Sequence, residues 1–264
     1  MTSKKLSGNS GADYEQFMVP AIFAPWAGVL ANYVKASPGE RVLDVACGTG
    51  IVAREIVRRV GAKVKVVGCD SNAAMLATAR EVAPEIDWRE GNALDLPFDA
   101  GSFDVVTCQQ AYQFFPDRVK AAQEAYRVLV DGGRIAVAVW CELSECPGQA
   151  AVASAVREIL GSAAAEIAGS SSSFGDKAQL EQVFADAGFG RLKTTTETLG
   201  VRFASSDEIT LGIVRGGALA RSGVEVSEAT MAQILRRVRS LLAGYQGATE
   251  AVYPMAANIV LASK

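Results

Sequence analysis

The sequence predicts an α/β protein with a doubly wound parallel sheet and helices on both faces. Compact apolar runs alternate with stretches of helical periodicity between residues 41 and 141. Such alternation is typical of right-handed βαβ crossovers, which place successive strands parallel in one sheet. With 264 residues, of which 50% are hydrophobic, the chain is long enough for one large domain with a sizeable core.

The predicted elements follow in a regular order. Residues 1–12 are polar and rich in Gly and Ser, which predicts a flexible tail. Residues 13–36 have helical spacing that Pro20 and Pro25 divide into two short helices. The predicted strands span 41–46, 64–70, 86–91, 103–109 and 134–141. The predicted helices between them span 50–60, 72–82 and 116–130, and the turn at 131–133 ends the last of these.

The alternation becomes less regular after residue 141. Helices are predicted over 147–160 and 176–187, with a loop of small residues over 168–173. Frequent Thr and Val predict a strand over 192–203. Ser205 and Glu208 form a capping-box pattern that begins a further helix, and an apolar stripe at helical period follows over 231–242. A last strand is predicted over 251–261.

Composition and charge argue against several classes of function. The formal net charge is -3 without a long run of either sign, whereas a nucleic-acid binder usually has a basic face. The sequence contains no histidine, and its five cysteines lack the CxxC spacing of a zinc or redox site, so no metal is predicted. The unpaired cysteines, the polar start and the short apolar runs predict a cytoplasmic protein without membrane segments.

The most informative segment is the strand and turn of residues 42–50. A buried strand runs into a turn with Gly48 and Gly50, and a helix follows at once, so main-chain N–H groups can approach a ligand. Asp70 stands 20 residues beyond Gly50, after the second strand. An α/β nucleotide site places a carboxylate there for the two ribose hydroxyls. The pattern therefore predicts a nucleoside site at the carboxyl edge of the sheet.

An NAD(P)-dependent oxidoreductase is the first alternative, because residues 48–53 (GTGIVA) satisfy the loose G-x-G-x-x-A pattern. Two features argue against it. Asp44 lies inside the strand before the turn, where its charge suits a cationic amino-acid group better than a pyrophosphate. Residues 91–98 (GNALDLPF) follow the third strand, where the edge of an adenine can be met.

Five motifs in order over residues 41–141 carry a family resemblance. They are 44–50 (DVACGTG), Asp70, 92–93 (NA), 103–106 (FDVV) and 129–134 (LVDGGR). Together they resemble class I S-adenosylmethionine-dependent methyltransferases of the type 11 group, akin to quinone-biosynthesis methyltransferases. The resemblance implies a Rossmann-like sheet of seven strands, the last one antiparallel, with a small helical lid and S-adenosyl-L-methionine as cofactor. It implies one methyltransferase domain over 13–264, with 41–141 binding the cofactor and with 13–36, 142–175 and 204–248 forming the lid and acceptor pocket.

The resemblance also implies roles for the residues of the turn. Gly48 and Gly50 would face the methionine part of the cofactor, with Asp44 near its amino group. Ala46, in the same turn, stands where many relatives have a glycine. Asp70 would hold the ribose diol. The structural alternatives are that Asp44 only fixes the turn and that Asp70 only caps the following helix.

Further residues are implied at the adenine and the sulfonium. Ser71 and Met75 would approach the adenine, Asn92 and Ala93 would meet its edge, and Gln109 would lie beneath the sulfonium and open onto the acceptor pocket. Asn92 replaces the usual Asp, but an amide can still accept a hydrogen bond from the adenine amino group. A core position for Met75 and a turn position for Asn92 are the structural alternatives.

The implied reaction is methyl transfer to a small molecule by in-line displacement, in a pocket that holds donor and acceptor in line and excludes water. No catalytic residue is assigned. Tyr112 and Tyr14 are weak candidates for a base, as is Asp117, which has the alternative of beginning a helix. Aromatic side chains, the 109–115 loop and helices near 205–243 are expected to form an acceptor pocket for an apolar or ring-containing molecule; the aromatics are Tyr14, Phe17, Phe23 and Trp26.

Other acceptors and functions are less consistent with the sequence. Enzymes that methylate exocyclic amines of bases carry an Asn/Asp-Pro-Pro-aromatic turn after the fourth strand, whereas 109–115 is QQAYQFF. Arsenic methylation would use thiolates such as Cys141 and Cys146, but the usual cysteine spacings are missing. A non-catalytic adenosylmethionine-binding protein, with a closed lid and no pocket, is the second alternative. The acceptor, the methylated atom and the oligomeric state are left open, with a homodimer as one alternative.

Overall fold

The computed structural model describes residues 10–264, without the side chains of Ser10, Asp13, Phe17, Ala220 and Arg221. Of the flexible tail predicted over 1–12, residues 1–9 lie outside this range. Residues 10–12 belong instead to a short helix, α1 (Ser10–Asp13). Gly11 is buried there, and an added Cβ would overlap Thr78 Oγ1, so α1 packs closely against the body of the fold.

The strands of the described chain are β1 (Arg41–Val45), β2 (Lys65–Asp70), β3 (Asp87–Glu90), β4 (Phe103–Gln109), β5 (Leu129–Trp140), β6 (Gly190–Phe203) and β7 (Ala251–Ser263). The α-helices after α1 are α2 (Ala24–Val34), α3 (Ile51–Val60), α4 (Ala73–Val82), α5 (Arg118–Val128), α6 (Pro147–Leu160), α7 (Ser162–Gly169), α8 (Lys177–Asp186), α9 (Ser206–Gly216), α10 (Ala218–Arg221) and α11 (Glu228–Leu241). Short 3₁₀ turns span Tyr112–Phe114, Leu143–Glu145, Ser170–Ser172 and Ala243–Tyr245. None of the helices within residues 10–264 is both long and apolar enough to cross a membrane.

The strand order in the sheet is β3-β2-β1-β4-β5-β7-β6. β1 pairs in parallel with β2 and β4, and the parallel pairing continues to β3 and β5. β7 pairs antiparallel with both β5 and β6, so the last strand in the chain runs against the other strands. The prediction of a doubly wound seven-stranded sheet with an antiparallel last strand is confirmed. The order reverses between β1 and β4, and open α/β sheets bind ligands at such a switch point.

Helices cover both faces of the sheet, as the burial of neighbouring strand residues demonstrates. Val42 of β1 belongs to the core on one face, together with Leu30 of α2. Leu43, the next residue, belongs to the core on the other face, together with Phe184 of α8. A strand buried on both faces is a continuous apolar run, which explains why β1, β2, β4 and β5 can be recognised in the sequence.

Three segments differ from the sequence predictions. Residues Tyr14–Phe23 are one π-helical stretch that contains Pro20, while Pro25 lies in the first turn of α2, where a missing N–H removes no helical hydrogen bond. The turn at 131–133 lies within β5 and not before it, and the register between β4 and β5 shifts near this point. The predicted loop at 168–173 is the end of α7 and a 3₁₀ turn.

Candidate functional site

A cavity of about 450 Å³ opens where the carboxyl ends of β1, β2 and β4 meet, at the switch point of the sheet. This volume lies within the range of ligand pockets, about 300–1,000 Å³. The segments 13–36, 142–175 and 204–248, predicted as lid and pocket elements, each contribute to the lining. Examples from these three segments are Phe23, Ser170 and Gly212.

The turn after β1 brings bare backbone to the cavity. Ala46 and Gly48 line it, and both have a positive φ, of 53° and 57°. A Cβ on Gly48 would have no neighbour within 4 Å, so the missing side chain leaves the backbone open to a ligand. Gly50 begins α3 with φ 85°, but it is not part of the described lining, and an added Cβ would overlap the ring of Trp88. Packing against β3 therefore explains this glycine.

Asp70, the last residue of β2, lines the cavity and fixes the turn beside it. Its Oδ2 accepts a hydrogen bond from the Gly48 N–H at 2.8 Å, and its Oδ1 accepts one from the Asn72 N–H at 2.8 Å. Burial raises the pKa of Asp70, against the opposing effect of these backbone donors. Because a carboxylate has about four lone-pair positions, Asp70 can still accept from the hydroxyls of a ligand.

Asp44 lies beneath the turn and is 1% exposed. It accepts hydrogen bonds from Thr107 Oγ1 at 2.9 Å and from the Ala53 N–H at 3.3 Å, which joins β1 to β4 and α3. Burial raises its pKa to about 7, against the two hydrogen bonds, with a smaller contribution from the charge of Asp70. The geometry matches the structural alternative, in which Asp44 fixes the turn, and Asp44 is not among the described lining residues.

The adenine-side residues divide into two groups. Ser71 and Met75 line the cavity, and their contact with an adenine stays a prediction. Asn92 and Ala93 are not in the described lining: Asn92 Oδ1 accepts a hydrogen bond from the Leu94 N–H at 2.9 Å, as a turn residue does. A contact of Asn92 and Ala93 with an adenine therefore stays a prediction.

Among the candidate bases, only Tyr14 lines the cavity, with its ring 4.9 Å from that of Phe23. Tyr112 is 2% exposed, packs against Phe184 and is not in the described lining, which argues against its acting as a base. Burial also raises the pKa of Tyr112 well above its ordinary value. Asp117 caps α5, where its Oδ1 accepts from the Lys120 N–H.

Two of the aromatics expected in the acceptor pocket, Trp26 and Phe17, are not in the described lining. Trp26 has no exposed surface and lies behind the wall of the cavity, edge-on to Trp140, which lines it. Trp140 thus takes the place in the wall that was expected of Trp26. The side chain of Phe17 lies outside the described residues. Met18, Phe114 and Phe115 add further apolar surface to the lining.

Four glutamines line the cavity, of which the sequence predicts only Gln109. Gln109 Nε2 donates to the Phe23 carbonyl at 3.1 Å, and Gln113 Nε2 donates to the Gln110 carbonyl at 2.8 Å. Gln149 comes from α6. The repeated glutamines directly after an apolar strand are the sequence feature that could have indicated Gln110 and Gln113 as cavity residues. Nothing in the Ala-rich sequence of α6 indicates Gln149. Within residues 10–264, no group of His, Cys, Asp or Glu side chains could hold a metal ion.

These features define a class of protein: a doubly wound α/β fold with glycine-turn and carboxylate elements of a nucleoside site at its switch point. The family model described as the ubiE/COQ5 methyltransferase family matches residues 14–206. The chain therefore belongs to the ubiE/COQ5 methyltransferase family, which confirms the resemblance to type 11 S-adenosylmethionine-dependent methyltransferases.

Individual relatives agree with this assignment. The 2-phytyl-1,4-naphtoquinone methyltransferase of Thermosynechococcus vestitus is 37% identical over 115 residues, 42% of this chain and 51% of that protein. The demethylmenaquinone methyltransferase of Lactococcus lactis is 39% identical over 102 residues, 37% of this chain and 40% of that protein. The match thus spans about half the length of these relatives or less. The YcgJ protein of Bacillus subtilis has the same fold, with a TM-score of 0.61 at 19% identity over 90% of this chain and 97% of that chain.

The residues at the cavity fit S-adenosylmethionine, the cofactor of this family. Gly48 leaves room for close approach of a ligand to the backbone, and Asp70 keeps lone pairs for a diol. Met75 supplies a soft apolar surface, of a kind that can cover a flat ring.

Proposed function

We propose that this protein transfers the methyl group of S-adenosylmethionine to an apolar, ring-containing small molecule by in-line displacement. One observation carries the proposal: Asp70 and Gly48 line the same cavity as the aromatic residues Tyr14, Phe23 and Trp140. A donor held at Asp70 and Gly48 and a ring packed among the three aromatic residues would lie in one cavity, as in-line attack requires.

The chain acts mainly by positioning and by excluding water. The bound sulfonium supplies an activated methyl group whose thioether leaves without protonation. Asp70 fixes the ribose, and the apolar wall around Phe23 and Trp140 removes water from the acceptor side. Well-oriented positioning contributes about 7–11 kcal/mol in favourable cases. Since Asp70 is the one carboxylate in the described lining, the acceptor that fits best has a reacting atom that is already nucleophilic, such as an electron-rich ring carbon.

A quinone-type ring in its reduced, hydroquinone form is the acceptor class that we propose. The names of the two relatives refer to a 2-phytyl-1,4-naphthoquinone and to demethylmenaquinone, and the aromatic wall of this cavity suits a flat ring. The match to a methyltransferase family disfavours the oxidoreductase alternative. A cavity of about 450 Å³ disfavours the non-catalytic alternative, which requires a closed lid without a pocket.

Two measurements test the proposal. Calorimetric titration with S-adenosylhomocysteine, and with NADH in parallel, is expected to give binding of the thioether alone. Incubation with radiolabelled S-adenosylmethionine and 1,4-naphthohydroquinone is expected to give a labelled ring product. Binding of NADH without binding of S-adenosylhomocysteine would favour the oxidoreductase, and donor binding without transfer to any ring acceptor would favour the non-catalytic protein.

We also propose a cytoplasmic location and a small-molecule partner, with no nucleic acid. The five cysteines are free and buried, which suits a reducing compartment, and the formal net charge of -3 does not favour binding of a polyanion. A homodimer stays a prediction, and analytical ultracentrifugation of the purified chain would test it.

A further inference from the structure

All four glutamines in the cavity have buried amide atoms without a partner among the described residues. Gln110, Gln113 and Gln149 are the most buried of them, at 6%, 5% and 8% exposed. Both amide atoms of Gln110 are unpaired, and so are the Oε1 atoms of Gln109, Gln113 and Gln149. Buried polar groups are nearly always hydrogen-bonded, because leaving them unpaired loses their hydration without compensation. Side chains that line a cavity in this state are prepared for a ligand.

The backbone holds Gln110 in a fixed and unfavourable conformation. Its φ is 57°, in the left-handed region that residues with a Cβ rarely adopt. Its N–H donates to the Ala138 carbonyl at 2.8 Å, and its carbonyl accepts from Gln113 Nε2 at 2.8 Å. Strained backbone that is fixed from both sides is typical of functional positions, because the conformation serves to direct a side chain.

The charge around the cluster limits what it can bind. Asp70 is the one charged side chain in the described lining, and no Lys or Arg is present there to neutralise a carboxylate or phosphate. The unpaired Oε1 atoms and Asp70 could accept hydrogen bonds from a cationic group, but the positive sulfonium of the donor would repel it. The group that matches is therefore neutral.

We propose that Gln110, together with Gln113 and Gln149, binds an uncharged polar group of the acceptor that offers both a hydrogen-bond donor and a hydrogen-bond acceptor. The inference rests on the proposed function, and it adds the chemical class of the acceptor's polar end. Whichever way the Gln110 amide is turned, it presents one donor and one acceptor side by side. Phenols, hydroxyketones and carboxamides on an apolar ring meet this requirement, whereas ring carboxylates and ring ammonium ions do not.

The test uses three probes with one apolar body, titrated into the full chain saturated with S-adenosylmethionine, whose sulfonium is positive: 2-naphthamide, 2-naphthoate and 2-naphthylmethylammonium. The naphthamide is expected to bind about tenfold or more tightly than either charged probe. Gln110→Met, which keeps the size of the side chain, is expected to weaken naphthamide binding about tenfold while S-adenosylhomocysteine affinity stays unchanged. The matched control is Gln179→Met, at an exposed glutamine of α8, which is expected to change neither affinity.

The outcomes separate this inference from the proposed function. Tighter binding of a charged probe, or unchanged naphthamide affinity in Gln110→Met, would overturn the inference and leave the donor site intact. If the unmutated chain does not bind S-adenosylhomocysteine, the proposed function is overturned and the inference with it. Should Gln110→Met fail to fold by circular dichroism, Gln149→Met on α6 provides the same test from a different element, with the same expected loss.

Discussion

The buried carboxyl of Asp44 predicts a distinctive dependence of stability on pH. Burial raises its pKa to about 7 from an ordinary value of 3.8. Between these pH values the folded protein holds a proton that the unfolded chain has already lost. The contribution of Asp44 to stability is therefore complete below about pH 4 and is lost as pH rises towards 7. The shift corresponds to about 4 kcal/mol between the two limits, an order-of-magnitude figure.

The substitution Asp44→Asn removes the titrating group and keeps its shape; the amide oxygen can still accept from Thr107 Oγ1, while the weaker hydrogen bond from the Ala53 N–H is lost. Urea unfolding from pH 5 to pH 8.5 is expected to show the unmutated protein losing stability with rising pH, and the variant losing much less. At pH 8 the variant is expected to unfold roughly 1 M later in urea. The chain contains no histidine, which would titrate in the same range.

The control for this experiment is Asp131→Asn, at an exposed aspartate of β5, which is expected to leave the pH profile as it is. Equal slopes for the unmutated protein and Asp44→Asn would refute the reasoning. They would mean that Asp44 is charged in the folded state at all these pH values, and hence that water or a cation reaches it beneath the turn.

Three further predictions concern the site. Asp70→Ala is expected to weaken S-adenosylhomocysteine binding by about 1–3 kcal/mol in calorimetry, since a diol would lose its charged partner; unchanged affinity would remove Asp70 from the site. Gly50→Ala is expected to lower the free energy of unfolding by about 2–5 kcal/mol, because Gly50 has a positive φ and an added Cβ would overlap Trp88. The control Gly132→Ala, with φ 78° and open space around it, is expected to lower it by about 1–2 kcal/mol. Equal losses in urea unfolding would argue against the overlap. Gln110→Gly is expected to change the free energy of unfolding by less than about 1 kcal/mol, because relief of its strained φ offsets the greater freedom of the unfolded glycine. The rate of methyl transfer is expected to fall in this variant. An unaltered rate would contradict a role of Gln110 in the acceptor site.

The fold and the donor end of the site follow from local sequence. β1 and its neighbours are apolar because both faces are buried, and this pattern survives without any knowledge of the partners. Gly48 and Asp70 could be predicted because Gly48 stands in the turn after β1 and Asp70 ends β2, and parallel strands bring their carboxyl ends to one edge. For these residues, the order of strands and turns along the chain was sufficient to predict where they lie in the structure.

The acceptor end could not be predicted in the same way, because it depends on contacts between distant elements. Tyr112 lies three residues from Gln109, yet it points into the core, since Phe184 of α8 receives its ring. Gln149 lines the cavity from α6 although its helix has the composition of an ordinary core helix. Gly50 matches a ligand-binding motif, but the ring of Trp88 explains it better. Each of these outcomes is decided by tertiary packing.

The donor and acceptor ends of the site lie on different elements, and this limits what the relatives indicate about the acceptor. The family match ends at residue 206, where α9 begins, so the donor-binding edge of the sheet lies within it. Gly212, Ile213 and Gly217 line the same cavity from beyond that boundary. Since these residues and the glutamines stand on elements other than β2, which ends at Asp70, acceptor preference can change while donor binding is kept. The proposed acceptor is therefore to be sought from the neutral amide cluster and from α9, and the names of the relatives provide only the starting class.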